Sequence, residues 1–203
     1  MKKIRLVVYI LLLAAIVAGC SSKPTEGNNA VVLKEVHLKD FEESLLTKLA
    51  DDSFVFDIED NSKGKANLSI SIELYKDGKL AYPLLESRMK MTEKGKINRL
   101  MIAKQTFGDG HIKQKWIIAN ITDDSVSSSD GLEDRVNGPT PFSHAATYAD
   151  LPLEIKKGEK KTIAAMVSTS QNGIATRDLE AVLNNPKATS KFTRAYLVRI
   201  EAK

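Results

Sequence analysis

The stretch ANLSISIELYKDGKLA, residues 66–81, decides the fold class. Leu68, Ile70, Ile72 and Leu74 recur at every second position with Ser69, Ser71 and Glu73 between them, the period of a strand that buries one face. Asp77-Gly78 then interrupts the run where a two-residue hairpin turn needs positive φ, and Lys79 to Leu84 resumes it. Strand, tight turn and returning strand make an antiparallel hairpin. The same pattern extends in both directions, because Ser53 to Ile58, Ile97 to Thr106 and Ile112 to Ile121 read as strands, the last two joined through Asp109-Gly110. Leu153 to Ile163 sets two short apolar runs around Lys157-Gly158, and Asn172-Gly173 marks another turn. The chain closes on Phe192 to Ala202, where Tyr196, Val198 and Ile200 alternate with Leu197, Arg199 and Glu201.

Two segments carry a helical period instead. Leu38, Phe41, Leu45, Leu46 and Leu49 predict an amphipathic helix at about 40–50, capped by Asp40 and Glu43, with Glu42 and Lys48 outward. Asp178 to Leu183 predicts a short helix that starts near Thr176 and stops before Pro186. Many strands joined by short turns, with no strand-helix-strand alternation, point to a mainly β domain, an antiparallel β-sandwich of immunoglobulin-like or jelly-roll-like type. The Leu153 to Ile163 hairpin is similar to one in immunoglobulin-like bacterial surface modules, but a true immunoglobulin domain would carry a Cys-Trp-Cys core that this chain lacks.

Composition removes several classes. Of 203 residues, 42% are hydrophobic and 28% charged, which excludes collagen-like and wholly disordered chains. A single Cys excludes a disulfide framework and a thiolate zinc site. The formal charge of +4 owes three units to Lys2, Lys3 and Arg5, so the chain from Cys20 onward is nearly neutral. No basic stripe with interleaved aromatics follows, and nucleic acid is excluded as a partner.

Residues 1–19 have the layout of a secretory signal: three positive charges by Arg5, an apolar core from Leu6 to Val17, and small Ala18 and Gly19. The core is shorter than the ~20 residues that span a bilayer. Val17-Ala18-Gly19-Cys20 resembles the lipobox of bacterial lipoproteins, differing from its commonest form in having Val17 in place of Leu. The resemblance implies that Cys20 is diacylated on sulfur and becomes the mature N-terminus. Two acyl chains anchor stably where one does not. Residues 20–30, the lipidated Cys and SSKPTEGNNA, then form a flexible tether to a domain over 31–203. The expected location is the extracytoplasmic face of the cell membrane, or an outer membrane where the host has one, since Ser21 gives no retention signal of the Asp type.

Candidate chemistry is sparse. No nucleophile elbow, zinc-protease helix or phosphate loop is present, and Cys20 as a thioether could not act as nucleophile or ligand. His37, His111 and His144 have no metal-ligand spacing, Trp116 is expected in the core, and Tyr75 and Tyr82 are expected to pair across their hairpin. Ser143 and His144 are adjacent, which does not bring a hydroxyl to an imidazole. Residues 122–150 have little apolar period and carry Asp123, Asp124, Asp130, Glu133, Asp134 and Asp150 against Arg135. A long acidic loop here is the expected recognition element, with Asp123, Asp124, Asp130, Glu133, Asp134 and His144 as its candidate residues. Aligning Gly131 with the EF-hand glycine puts Val126 and Ser128 where ligands belong, which rejects that motif and leaves an irregular Ca²⁺ site as the weaker alternative.

The expectation is a binding or interaction module of the cell envelope, with no cofactor, whose partner is an envelope protein or small ligand beyond the membrane itself. The alternatives are a structural or accessory subunit of an envelope complex and, behind it, a hydrolytic enzyme. Replacing Cys20 by Ala should abolish metabolic fatty-acid labelling and leave the chain unanchored or as an uncleaved precursor. Labelling that persists in the variant would contradict the lipobox reading.

Overall fold

The computed structural model describes residues 30–61, 66–91, 98–107, 113–134 and 143–203, with the side chains of Ala30 and Asp134 left aside. Cys20, the tether up to residue 29, the Asp109-Gly110 turn and His111 lie outside these residues. The chain forms two antiparallel sheets. Sheet A holds β7 (Val126–Asp134), β6 (Lys113–Thr122), β5 (Asn98–Phe107), β2 (Asp52–Asp60), β1 (Ala30–Glu35) and β9 (Leu153–Lys156), in that order. Sheet B holds β4 (Lys79–Lys90), β3 (Asn67–Lys76), β11 (Arg194–Ala202), β10 (Lys160–Thr169) and β8 (Ser143–Tyr148). This is the mainly β sandwich that the alternating sequence predicts.

The founding hairpin forms as read, with Asp77 at φ 47° and Gly78 at φ 78°. A side chain at Gly78 would also meet Ser190, whose Cα and Cβ lie 2.6 Å from the ideal Cβ position. The two tyrosines do not pair across it: Tyr82 opposes Leu74 and Tyr75 opposes Leu80, because the β3–β4 register shifts between Leu74 and Tyr75. Tyr75 is buried while Tyr82 is exposed.

Inward side chains of both sheets, among them Phe56, Ile58, Leu68, Ile70, Ile72, Leu100, Ile102, Trp116, Val198 and Ile200, fill one core. Trp116 is fully buried, its ring 4.7 Å from that of Tyr196. A second apolar cluster lies on the other face of sheet B. There α2 (Thr176–Asn184) and a 3₁₀ turn (Pro186–Lys191) lay Val182 and Phe192 over Tyr75, Ala165, Val167, Ala195 and Leu197. Burial on both faces explains why residues 163–167, IAAMV, read as a continuous apolar run without alternation.

Helix α1 (Asp40–Leu49) is present, but its cap is shifted by one residue: the Glu42 carboxylate accepts the Lys39 N–H at 2.9 Å, in place of the Asp40 and Glu43 pair. Glu42 is therefore turned toward the body of the protein. The segment 122–150 is not a long loop. It contains β7 and β8, and these are edge strands that draw their backbone hydrogen bonds from β6 and β10. An edge strand needs few apolar side chains, which is why Val126–Asp134 shows no period. Gly131 lets the other sheet close in, since a Cβ there would sit 3.1 Å from Leu84 O.

On the outer face of sheet B, Glu73 is buried and holds Lys160 Nζ at 2.6 Å, the Tyr75 hydroxyl at 3.0 Å and Arg199 Nη1 at 3.5 Å. Burial raises the Glu73 carboxyl, but its hydrogen bonds and the two cations outweigh that and leave it below its usual range. A carboxyl depressed in the folded state adds stability above its unfolded pKa of about 4.3, and that stability is lost as pH falls through the folded value. Glu73→Gln should cost about 1–3 kcal/mol at neutral pH and flatten the fall in urea midpoint below about pH 5. An unchanged acid limb would show that Glu73 does not carry it.

Candidate functional site

The inward positions of the sandwich are apolar along most of its length and turn polar at one end. In β2 the inward series Ile58, Phe56, Phe54 ends at Asp52; in β5, Leu100 and Ile102 give way to Lys104 and Thr106. In β6, Ile118 and Trp116 are followed toward the strand start by Gln114, and in β10 Ala164 and Met166 by Ser168. The polar residues enclose a cleft of about 460 Å³ between the sheets. Asp51, Asp52, Lys104 and Thr106 line the sheet A side, His144 and Ser168 the sheet B side, and Gln114, Met166 and Tyr196 the depth. Asp52 and Lys104 form a mostly buried ion pair across the β2–β5 ladder.

A buried network holds the floor. The Tyr196 hydroxyl is 2.6 Å from Glu133 Oε2 and 2.8 Å from the Gln114 side-chain amide, and Arg194 Nη1 is 3.3 Å from Glu133 Oε1. Glu133, Gln114 and Tyr196 are all under 5% exposed. One phenolic proton cannot serve two acceptors. The Glu133 carboxylate, the closer and charged acceptor, takes it, and the Gln114 amide stands against the tyrosine oxygen as its second neighbour. Burial first, and then the Glu133 charge, push the Tyr196 hydroxyl well above its ordinary pKa, so it remains a donor at every physiological pH. Tyr82 is raised in the same way, by burial and by the charge of Glu133. Among the described residues the Trp116 Nε1 donor, buried behind Tyr196, has no acceptor.

The residues expected to act together from 122–150 divide. Asp123 and Asp124 follow β6 at the end remote from the cleft, and Asp130 faces outward with Lys115 Nζ at 3.6 Å. Asp134 ends β7. Glu133 and His144 come from the same segment, yet one is buried in the floor network and the other lines the mouth. The acidic side chains of the segment are thus not gathered on one face, because strand pairing sends alternate side chains to opposite faces. Ser143 and His144 are separated for the same reason: Ser143 Oγ accepts the Gly173 N–H at 3.0 Å, while His144 faces the cleft. His144 instead stands opposite Ser168 in the β8–β10 register, without a hydrogen bond between them. No group of three or more His, Cys, Asp or Glu among the described residues is placed to hold a metal ion. Sequence reading missed Asp52, Lys104, Gln114 and Tyr196. Their signal was present, as polar residues at the ends of otherwise apolar alternating series.

Residues 32–202 match the YgaN domain family, a span from β1 to the end of β11 that contains every residue of the cleft. The chain belongs to that family. No curated protein and no solved structure matches it. The YgaN domain here is therefore the whole sandwich, with the segment before residue 32 outside it.

Proposed function

We propose that the chain is a membrane-tethered extracytoplasmic lipoprotein that acts as a binding module of the cell envelope and takes a small polar ligand in the cleft between its sheets. The observation that carries the reading is the change from apolar to polar inward residues at one end, with Tyr196 and Gln114 lining an open cleft and tied to Glu133 and Arg194 behind them. Such a floor is held in place before any ligand arrives, which lowers the cost of binding. The walls offer a donor at Lys104, an acceptor at Asp51, and both at Thr106, Gln114, Ser168 and His144. The lipobox at Cys20 supports the anchor.

Thr106 and Ser168 line opposite walls and take no part in the buried network. Purifying the lipidated protein and its Thr106→Val, Ser168→Val variant from the same membranes, then comparing the retained small molecules by mass spectrometry, tests the reading. The wild type should carry a polar species depleted at least about fivefold in the variant, since each of two lost hydrogen bonds costs about 0.5–1.5 kcal/mol. Identical small-molecule content, with one protein partner cross-linked equally to both, would instead favour the accessory-subunit reading.

A further inference from the structure

Helix α1 touches the sandwich along a narrow line. Glu42 Oε1 stands 4.0 Å from Arg99, Gln105 Nε2 donates to Leu49 O, and Leu38 and Leu46 are half-buried. The apolar side chains that the sequence places one turn apart are not covered. Phe41 is 76% exposed, Leu45 46% and Leu49 55%, and no residue of the helix is buried. Phe107, also exposed, shares the strand face of Gln105 and brings a fourth apolar side chain to the Leu49 end.

We propose that Phe41, Leu45, Leu49 and Phe107 form a membrane-contacting surface, and that its occupant is the lipid bilayer into which Cys20 is anchored. The proposal rests on the lipid-anchor reading. Cys20 to Ala30 spans at most about 36 Å when fully extended, and β1 carries the chain about 20 Å further to the end where α1 begins. The helix therefore lies within reach of the bilayer, and the tether raises its effective concentration there. The ridge offers roughly 400 Å² of apolar surface, within the range of the largest patch on a monomer, which is often functional, but well short of the ~800 Å² per partner of a stable protein complex. A convex ridge of this size suits a deformable lipid surface. Its charges are mixed, with Asp40 and Glu43 against Lys39 and Lys48, so contact depends on apolar insertion and not on anionic lipid.

The contact fixes the orientation of the cleft. Cleft residues Asp51 and Asp52 follow α1 after Ala50, whereas Ala30 leaves from the opposite end of sheet A, where Val31 pairs with Asp60. On the tether alone the cleft would stand one strand length, about 27 Å, beyond the exit point. With α1 also on the bilayer, the sandwich lies along the membrane and the cleft opens beside the lipid surface.

Cys20 as a thioether leaves an engineered cysteine as the sole thiol, which permits a direct test on the full lipidated protein. Leu45→Cys carries an environment-sensitive fluorophore, Glu180→Cys on α2 serves as control, and vesicles of phosphatidylcholine with and without phosphatidylglycerol contain lipid-borne quenchers. Intact mass reports acylation in the same samples. The expected result is a severalfold rise in emission at position 45 with quenching by lipid, equal in both compositions and in 1 M salt, and none at position 180. A Cys20 without acyl mass would remove the anchor reading and this proposal with it. Acylated protein whose position 45 emits as in water would overturn this proposal alone. A label shielded from water but not quenched by lipid, in protein that cross-links as a dimer, would overturn it in favour of a second copy.

Discussion

Two sheets packed about 10 Å apart must fill the space between them with their own inward side chains, and this constraint governs the rest of the molecule. Over most of its length Leu, Ile, Phe and Trp fill it, and the hydrophobic effect holds the sheets together. At the end where β2 and β6 begin, the same inward positions carry Asp52, Gln114 and their neighbours, and the filling is incomplete. Glu133 and Tyr196 can remain buried there only because each satisfies the other and Arg194 balances the charge. The cleft and its rigid floor are two results of one change in side-chain chemistry.

The sheets were legible in the sequence wherever a strand buries one face. Leu68 to Leu74 and Val198 to Ala202 alternate because their apolar side meets the core and their other side is polar, and Asp77-Gly78 turns because its backbone requires positive φ. Edge strands were less legible. Val126–Asp134 and Ser143–Tyr148 take their order from a neighbour's hydrogen bonds, which leave no periodic trace. The helix at 40–49 was legible as a helix, but periodicity reports only that its apolar residues share a side, not what meets that side. Of the candidate residues in 122–150, His144 lines the cleft and Glu133 meets it only through Tyr196, whereas Asp123 and Asp124 belong to a turn at the other end. Net charge along a segment could not separate these positions, since a strand sends neighbours to opposite faces.

The proposed anchor, the helix and the cleft follow one another along the chain. From Ala30 the strand β1 leads to α1, and α1 leads through Ala50 to Asp51 and Asp52. The outer face of sheet B, covered in part by α2 and held by the Glu73 cluster, is the side turned away from α1 and serves stability.

On the proposed function, the polar end exists for binding and not for stability. Replacing the whole network together, Glu133→Met, Arg194→Met, Gln114→Met and Tyr196→Phe, and measuring unfolding by urea with ligand retention on the same samples, tests it most directly. A buried polar network exchanged for apolar residues of similar volume is often neutral or stabilising by about 1–4 kcal/mol. The account predicts stability held or raised, with the retained polar species lost. A fall of more than about 3 kcal/mol, the cost of breaking a needed buried pair, with retention intact would contradict it.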